Sequence, residues 1–244
     1  IEETARIVAR EGPDTIAAMF VEPVQGAGGV IVPPEGYLRA LRNLCRENDI
    51  LFVADEVITG FGRLGAWFAS VLWDLDPDII TVAKGITSGY LPLGATLISD
   101  EIAQAIIKGG YFAHGFTYSG PPTTAAAALA NLDLLEKENL IRRVRDDIGP
   151  YFQKKLREFA GHPAVGEVRG QGLIGALELL PREGKSALNP ATPLGARAAQ
   201  IAREEGVIVR GIRDLIALSP PFIISKEELD TLFAAVSRTL DRLW

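Results

Sequence analysis

Two charged side chains each close a run of apolar residues: Asp55 in "ILFVADEV" and Lys84 in "DIITVAKG". A carboxylate and a primary amine leaving neighbouring strands can do paired chemistry, the amine as a nucleophile toward a carbonyl and the carboxylate as partner of a cation. In open parallel sheets, ligands collect at the carboxyl ends of strands, and the spacing of these two residues leaves room for one crossover. Plainer roles fit the same residues. Lys84 can reach solvent from a strand end, or form an ion pair with Asp55, since burying an unpaired ammonium is costly.

An apolar strand ending in Asp-Glu also resembles the acidic metal-binding strand of phosphate-loop ATPases. Such a strand needs a G-x-x-x-x-G-K-[ST] loop. The Gly-Lys-Ser at Gly184 to Ser186 has Leu179 where the first glycine belongs, and it lies far downstream, so this reading fails.

The elements that must position the two residues are legible in the apolar pattern. "TIAAMFVEP", "ILFVADEV", "DIITVAKG" and "LGATLIS" read as strands, the first as a buried one. "PEGYLRALRNLCREND" places apolar side chains on one helical face after a proline pair suited to a helix start, and a short helix is expected from Ile102 to Ile107. "GGYFAHGFTYSGPP" is a glycine-rich, aromatic loop. Beyond it, residues 123–161 are strongly helical, with a break or bend expected at Gly149 and Pro150 and close helix packing expected of the alanines at 125 to 128. Two strands in "AVGEVRGQGLIGALELL", a helix closed by Gly206, two strands in "VIVRGIRDLIALSPP" and a last helix opened by the capping pair Ser225 and Glu228 follow. The reading is α/β with a mainly parallel sheet over residues 1–140 and a smaller α+β domain over 141–244.

Composition narrows the partners. Twenty-five Lys and Arg against 31 Asp and Glu give a net charge of −6, which argues against nucleic acid or an anionic membrane and for a small-molecule ligand. No apolar run approaches the roughly 18 residues of a membrane span. The opening "IEETARIVAREG" reads as a charged helix with no targeting signal. One cysteine, Cys45, excludes an intrachain disulfide, fits a reducing, cytoplasmic compartment, and sits at packing positions with Leu38 and Leu41.

Taken together, "EPVQGAGGVIVPPEGYL", "FVADEVITGFGRLG", "PDIITVAKGITSGYLPLGA", "HGFTYSG" and "SPPFIIS" resemble, in order, motifs of the class III, pyridoxal-phosphate-dependent aminotransferases. The resemblance implies the fold type I of these transferases, here as a partial large domain that binds pyridoxal 5′-phosphate plus the small carboxyl-terminal domain. It implies that Lys84 holds the cofactor as a Schiff base and moves the substrate proton, with Gly85 and Gly89 allowing close backbone approach. Asp55 then faces the pyridine nitrogen, and Val57 packs on the ring. Thr117 matches the position that binds the cofactor phosphate from the neighbouring subunit, so a homodimer or higher assembly is implied. His114 has no assigned role, because Pro121 departs from the family pattern nearby, and His162 is read as structural.

Arg210 matches the arginine that grips a substrate carboxylate, in preference to the nearby Arg213; its plainer role is a surface ion pair. Ala27 stands where branches using glutamate and 2-oxoglutarate carry a glutamate, and Ile58 where other branches carry glutamine. Both point to the branch that moves an amino group from an ω-amino acid or amine to a 2-oxo acid, pyruvate. The resemblance is to the carboxyl-terminal part of such enzymes. The family's phosphate-binding turn and its ring-stacking aromatic residue are not in this sequence, so exposed sheet edge and apolar surface are expected. Two readings follow: part of an active aminotransferase, or a truncated, non-catalytic relative kept as a binding or assembly subunit.

Overall fold

Apolar runs of four or five residues alternate with amphipathic stretches through the first hundred residues, and this alternation builds a sheet. The computed structural model describes residues 1–115, 117–181 and 193–243. Gly184 to Ser186 therefore lie outside the described residues. The chain divides into two units. The first comprises Ile1–Val24, Pro33–Gly62 and Ala66–Asn139; the second comprises Gln25–Val32, Arg63–Gly65 and Leu140–Trp244.

In the first unit, strands β1 (Ala18–Val21), β2 (Leu51–Asp55), β3 (Ile79–Val82) and β4 (Ala95–Ile98) form one sheet in that order, with helix α1 at Glu2–Glu11 and helix α2 at Tyr37–Glu47. β1–β2 and β2–β3 are parallel, and β4 is antiparallel to β3. Leu38, Leu41 and Cys45 of α2 pack with Phe52, Ala54 and Leu75 into one core. Burial of each large apolar side chain there contributes about 1.5–3 kcal/mol. Cys45 is a packing residue: burial pushes its thiol up, and its sulfur lies 3.7 Å from that of Met19. β1 is not the buried strand expected. It lies at the sheet edge, and Phe20 is 71% exposed. β4 is exposed along its whole length.

Three further helices complete this unit: α3 (Ala69–Leu72), α4 (Asp100–Lys108) and α5 (Pro122–Lys137). Residues 109–115 and 117–121 carry no regular structure. The expected alanine packing on α5 is largely absent, since Ala128 is buried whereas Ala125 and Ala126 are exposed. The helical stretch is interrupted at Gly149 as expected and breaks once more before it. Asn139 takes a φ of 52°, which stops α5 two residues after Lys137, and α6 (Leu140–Arg143) begins the second unit.

Gly149 and Pro150 open a helix, α7 (Gly149–Arg157), and a π-helical turn at Val144–Ile148 precedes it. Proline has no N–H and its ring crowds the carbonyl four residues back, so an uninterrupted α-helix would be strained there; the wider turn relieves this. The Gly149 N–H reaches the Val144 carbonyl, and a side chain at 149 would stand 2.2 Å from that oxygen.

The second unit has an antiparallel sheet in the order β5 (Val165–Gln171), β6 (Ile174–Leu179), β8 (Leu215–Leu218), β7 (Arg210–Ile212). Helices α7, α8 (Leu194–Glu204) and α9 (Lys226–Asp241) contribute Phe152, Leu156, Leu194, Leu229, Phe233 and Leu240 to its core. Ser225 and Glu228 form the expected reciprocal cap of α9. The two early segments are tied in by long-range bonds: Arg169 donates to the Gly29 carbonyl, and the Arg63 carbonyl accepts from Leu173 N–H at 2.9 Å. Arg63 also donates to the Leu173 and Pro220 carbonyls and lies over the Phe222 ring, while burial lowers its guanidinium to about 10.

Candidate active site

Parallel pairing sets the site's geometry. Asp55 is in register with Thr81, so Lys84, three residues past Thr81, leaves β3 at the same sheet end where Asp55 leaves β2. The Asp55 carboxylate is aimed locally, because Oδ1 accepts from the Val57 N–H at 3.1 Å. Glu56 N–H donates to the Thr81 carbonyl at 2.9 Å and carries the ladder one residue further. The ion pair that would have explained both residues more simply is not seen: among the described residues, neither Asp55 nor Lys84 has an ion-pair partner within 4 Å.

Lys84 opens a short 3₁₀ turn, Lys84–Ile86, with a φ of 41°, in the left-handed region that side-chain-bearing residues rarely occupy. Its side chain is exposed. Gly85 packs closely: a Cβ there would crowd Phe61 Cβ at 3.1 Å and the Gly60 carbonyl at 3.4 Å.

Glu56 was missed by sequence reasoning, hidden behind its acidic neighbour. It is wholly buried, and its carboxylate accepts the Ala69 N–H at 2.9 Å, the Ser70 N–H at 2.6 Å and the hydroxyls of Thr59 and Ser70. A buried carboxylate is tolerated when it is surrounded by donors in this way, and the first amides of α3 are natural anion donors. Glu56 thereby ties the start of α3 to the end of β2.

Val57 and Ile58 are half-buried on that turn. Thr117 is exposed on the loop before α5, and His114 lies beside Phe112 with ring centres 5.6 Å apart. Phe116, in the same motif, lies outside the described residues. Arg210 belongs to the second unit. It is exposed at the start of β7 and has no ion pair among the described residues, so the surface ion pair is not seen. Arg213 sits in the β7–β8 turn with a φ of 50°. Ala27 is exposed near the tip of the turn bridged by Gln25 and Ile31. His162 is structural: its Nδ1 accepts from Ala164 N–H and its Nε2 faces Asp241. Among the described residues there is no cluster of His, Cys, Asp and Glu that could hold a metal ion, and no helix long and apolar enough to cross a membrane.

The family model for class-III aminotransferases matches residues 1–240. The chain belongs to the class-III aminotransferases. A putrescine–pyruvate aminotransferase of Pseudomonas aeruginosa is 42% identical over 241 residues, covering 99% of this chain and 53% of that protein. An (S)-enantioselective omega-transaminase from Thermomicrobium roseum superposes with a TM-score of 0.94 at 44% identity, over 99% of this chain and 54% of its own. An amine transaminase from an uncultivated Pseudomonas species, solved in a PLP-bound (internal aldimine) form, gives 0.92 at 44% identity, over 100% and 56%. This aminotransferase chain thus spans about half the length of the relatives it matches.

Proposed function

We propose that this class-III aminotransferase chain carries the lysine and the ring-binding carboxylate of a pyridoxal-5′-phosphate-dependent transamination, moving an amino group from an ω-amino acid or amine to a 2-oxo acid, pyruvate. The carrying observation is the Asp55–Thr81 register, which sends Asp55 and Lys84 out at one end of adjacent parallel strands. The donor set fits the cofactor: an exposed amine without an ion pair suits an aldehyde, and an oriented carboxylate suits a protonated ring nitrogen. When bound, pyridoxal phosphate supplies an aldehyde that condenses with amines and a ring that accepts the electrons left when a substrate proton departs.

The chain's own residues do the rest. Lys84 would hold the cofactor through Nζ and, as a free amine, would carry the proton that leaves the substrate carbon. Asp55 keeps the ring nitrogen protonated, with Oδ1 steered by Val57 N–H. Val57 would pack on the ring, and Thr117 would serve the phosphate bound by a neighbouring subunit in a dimer or higher assembly. Arg210, unpaired among the described residues, is available to a substrate carboxylate, and the small side chain of Ala27 leaves it without an acidic partner on that turn. The pyruvate named for the Pseudomonas aeruginosa relative supports that acceptor.

Adding pyridoxal phosphate to the purified protein tests the reading. A visible absorption band that Lys84→Ala abolishes is expected, and its absence from the unsubstituted protein overturns the catalytic role. Screening amine donors against pyruvate and 2-oxoglutarate tests the acceptor; a strong preference for 2-oxoglutarate overturns the argument from Ala27.

A further inference from the structure

Three residues within six, Lys84, Ser88 and Gly89, have φ values of 41°, 50° and 79°. Glycine takes such angles freely, but at Lys84 and Ser88, which carry side chains, this backbone persists only where its surroundings dictate it. Part of the constraint is internal: the hydroxyl of buried Thr87 donates to the Leu91 carbonyl at 2.6 Å, and Gly85 is pressed against Phe61. The rest comes from one side chain on α5. Asn131 Nδ2 donates to the Gly85 carbonyl at 2.9 Å and to the Ile86 carbonyl at 3.1 Å, while its Oδ1 accepts from the Ser88 hydroxyl at 2.6 Å.

These partners settle which end of the carboxamide is which, since two carbonyls can only be met by the amide N–H groups. A carboxylate would set oxygen against both carbonyls, and alanine would leave both without this donor. The contacts fall on the two residues directly after Lys84, so they fix the direction in which its side chain leaves the strand end.

We propose that Asn131 is a positioning residue for Lys84, holding the lysine turn in the one conformation that presents the amine beside Asp55. The proposal rests on the reading of Lys84 as the cofactor-bearing amine. It adds a residue from α5 that sequence reasoning did not single out.

Asn131→Ala, Asn131→Asp and Ser88→Ala in the purified protein test it by two readouts. In the protein without added cofactor, hydrogen–deuterium exchange of the amides from 85 to 90 is expected to quicken about tenfold in Asn131→Ala and further in Asn131→Asp, as the lost hydrogen bonds let the turn open. Exchange in β2 and β3 stays unchanged. With pyridoxal phosphate added, the Lys84-dependent band is expected to need about tenfold more cofactor in Asn131→Ala, a loss of the size expected for one or two hydrogen bonds. Unchanged exchange in the turn overturns the proposal, and so does faster exchange spread evenly through α5 and the sheet. Faster exchange in the turn with unaltered cofactor binding also overturns it. If the unsubstituted protein gives no Lys84-dependent band, the functional reading fails and this proposal with it, while a turn loosened in the exchange arm identifies a purely structural clamp. Ser88→Ala, an exposed hydroxyl, carries the same comparison should the Asn131 variants fail to fold.

Discussion

Glu56 holds Ser70 by two atoms, taking its amide N–H at 2.6 Å and its hydroxyl on the same carboxylate oxygen. Because the other oxygen takes Ala69 N–H and the Thr59 hydroxyl, the acid organises the whole excursion between β2 and α3. Glu56→Gln would turn an amide donor toward groups that are themselves donors. It is expected to lower the unfolding free energy by about 2 kcal/mol, in line with losing hydrogen bonds to a buried charge. Urea denaturation measures this, and an unchanged midpoint would remove Glu56 as an organising residue.

Arg42, buried, and Asp78, half-buried, make a second pairing in the same unit, a two-pronged contact with both N–O distances 3.0 Å. Asp78 also accepts from Phe52 N–H at 2.7 Å, and Arg42 Nε donates to the Asp76 carbonyl at 3.0 Å, so the pair joins α2 to the approaches of β2 and β3. Arg42→Ala strands the Asp78 carboxylate and is expected to cost about 3–5 kcal/mol. Arg42→Lys, with a point charge in place of a planar fork, should recover only part of this. A cost below about 1 kcal/mol in chemical denaturation would show that the pair behaves as a surface ion pair does.

The strands that position Asp55 and Lys84 were legible because each is a continuous apolar run ended by a charge, and the parallel register follows once a crossover helix lies between them. The cap at Ser225 and Glu228 was legible for a similarly local reason. What stayed hidden depends on distant partners. Glu56 finds two of its donors at Ala69 and Ser70, 13 and 14 residues on, and Asn131 meets its carbonyls across more than forty residues of chain. Residues 25–32 and 63–65 join the second unit through Arg169 and Leu173, which no local pattern announces. The helix break was local: Gly149 and Pro150 start a new helix after a π turn, while the further break at Asn139, with its positive φ, was not anticipated.

On the proposed function, Asp55→Asn separates charge from shape. Asparagine keeps an oxygen to accept from Val57 N–H, so the melting temperature should hardly move. The lost charge should lower the turnover rate by about a hundredfold or more, the usual scale for removing one electrostatic partner of developing charge. Steady-state kinetics beside a thermal melt checks both halves. Full activity in Asp55→Asn would sever the carboxylate from the ring nitrogen.

Acid should weaken the second unit through two carboxylates on its surface. Hydrogen bonding to Lys155, and next to Tyr151, holds Asp230 below its usual range, and Arg238 and Arg242 do the same for Glu205. Each therefore binds a proton less tightly folded than unfolded, where ordinary values are 3.8 for aspartate and 4.5 for glutamate. The stability these groups add is complete above those ordinary values and is lost as pH falls through their lower folded ones. Urea midpoints at pH 7 and pH 3 should show a drop that is smaller in Asp230→Asn combined with Glu205→Gln, because the variant has less left to lose. Because each pair keeps one partner about half exposed, the pairs should also matter less in about 1 M salt, where screening acts within roughly 3 Å. An equal drop in both proteins would place the acid sensitivity in other groups.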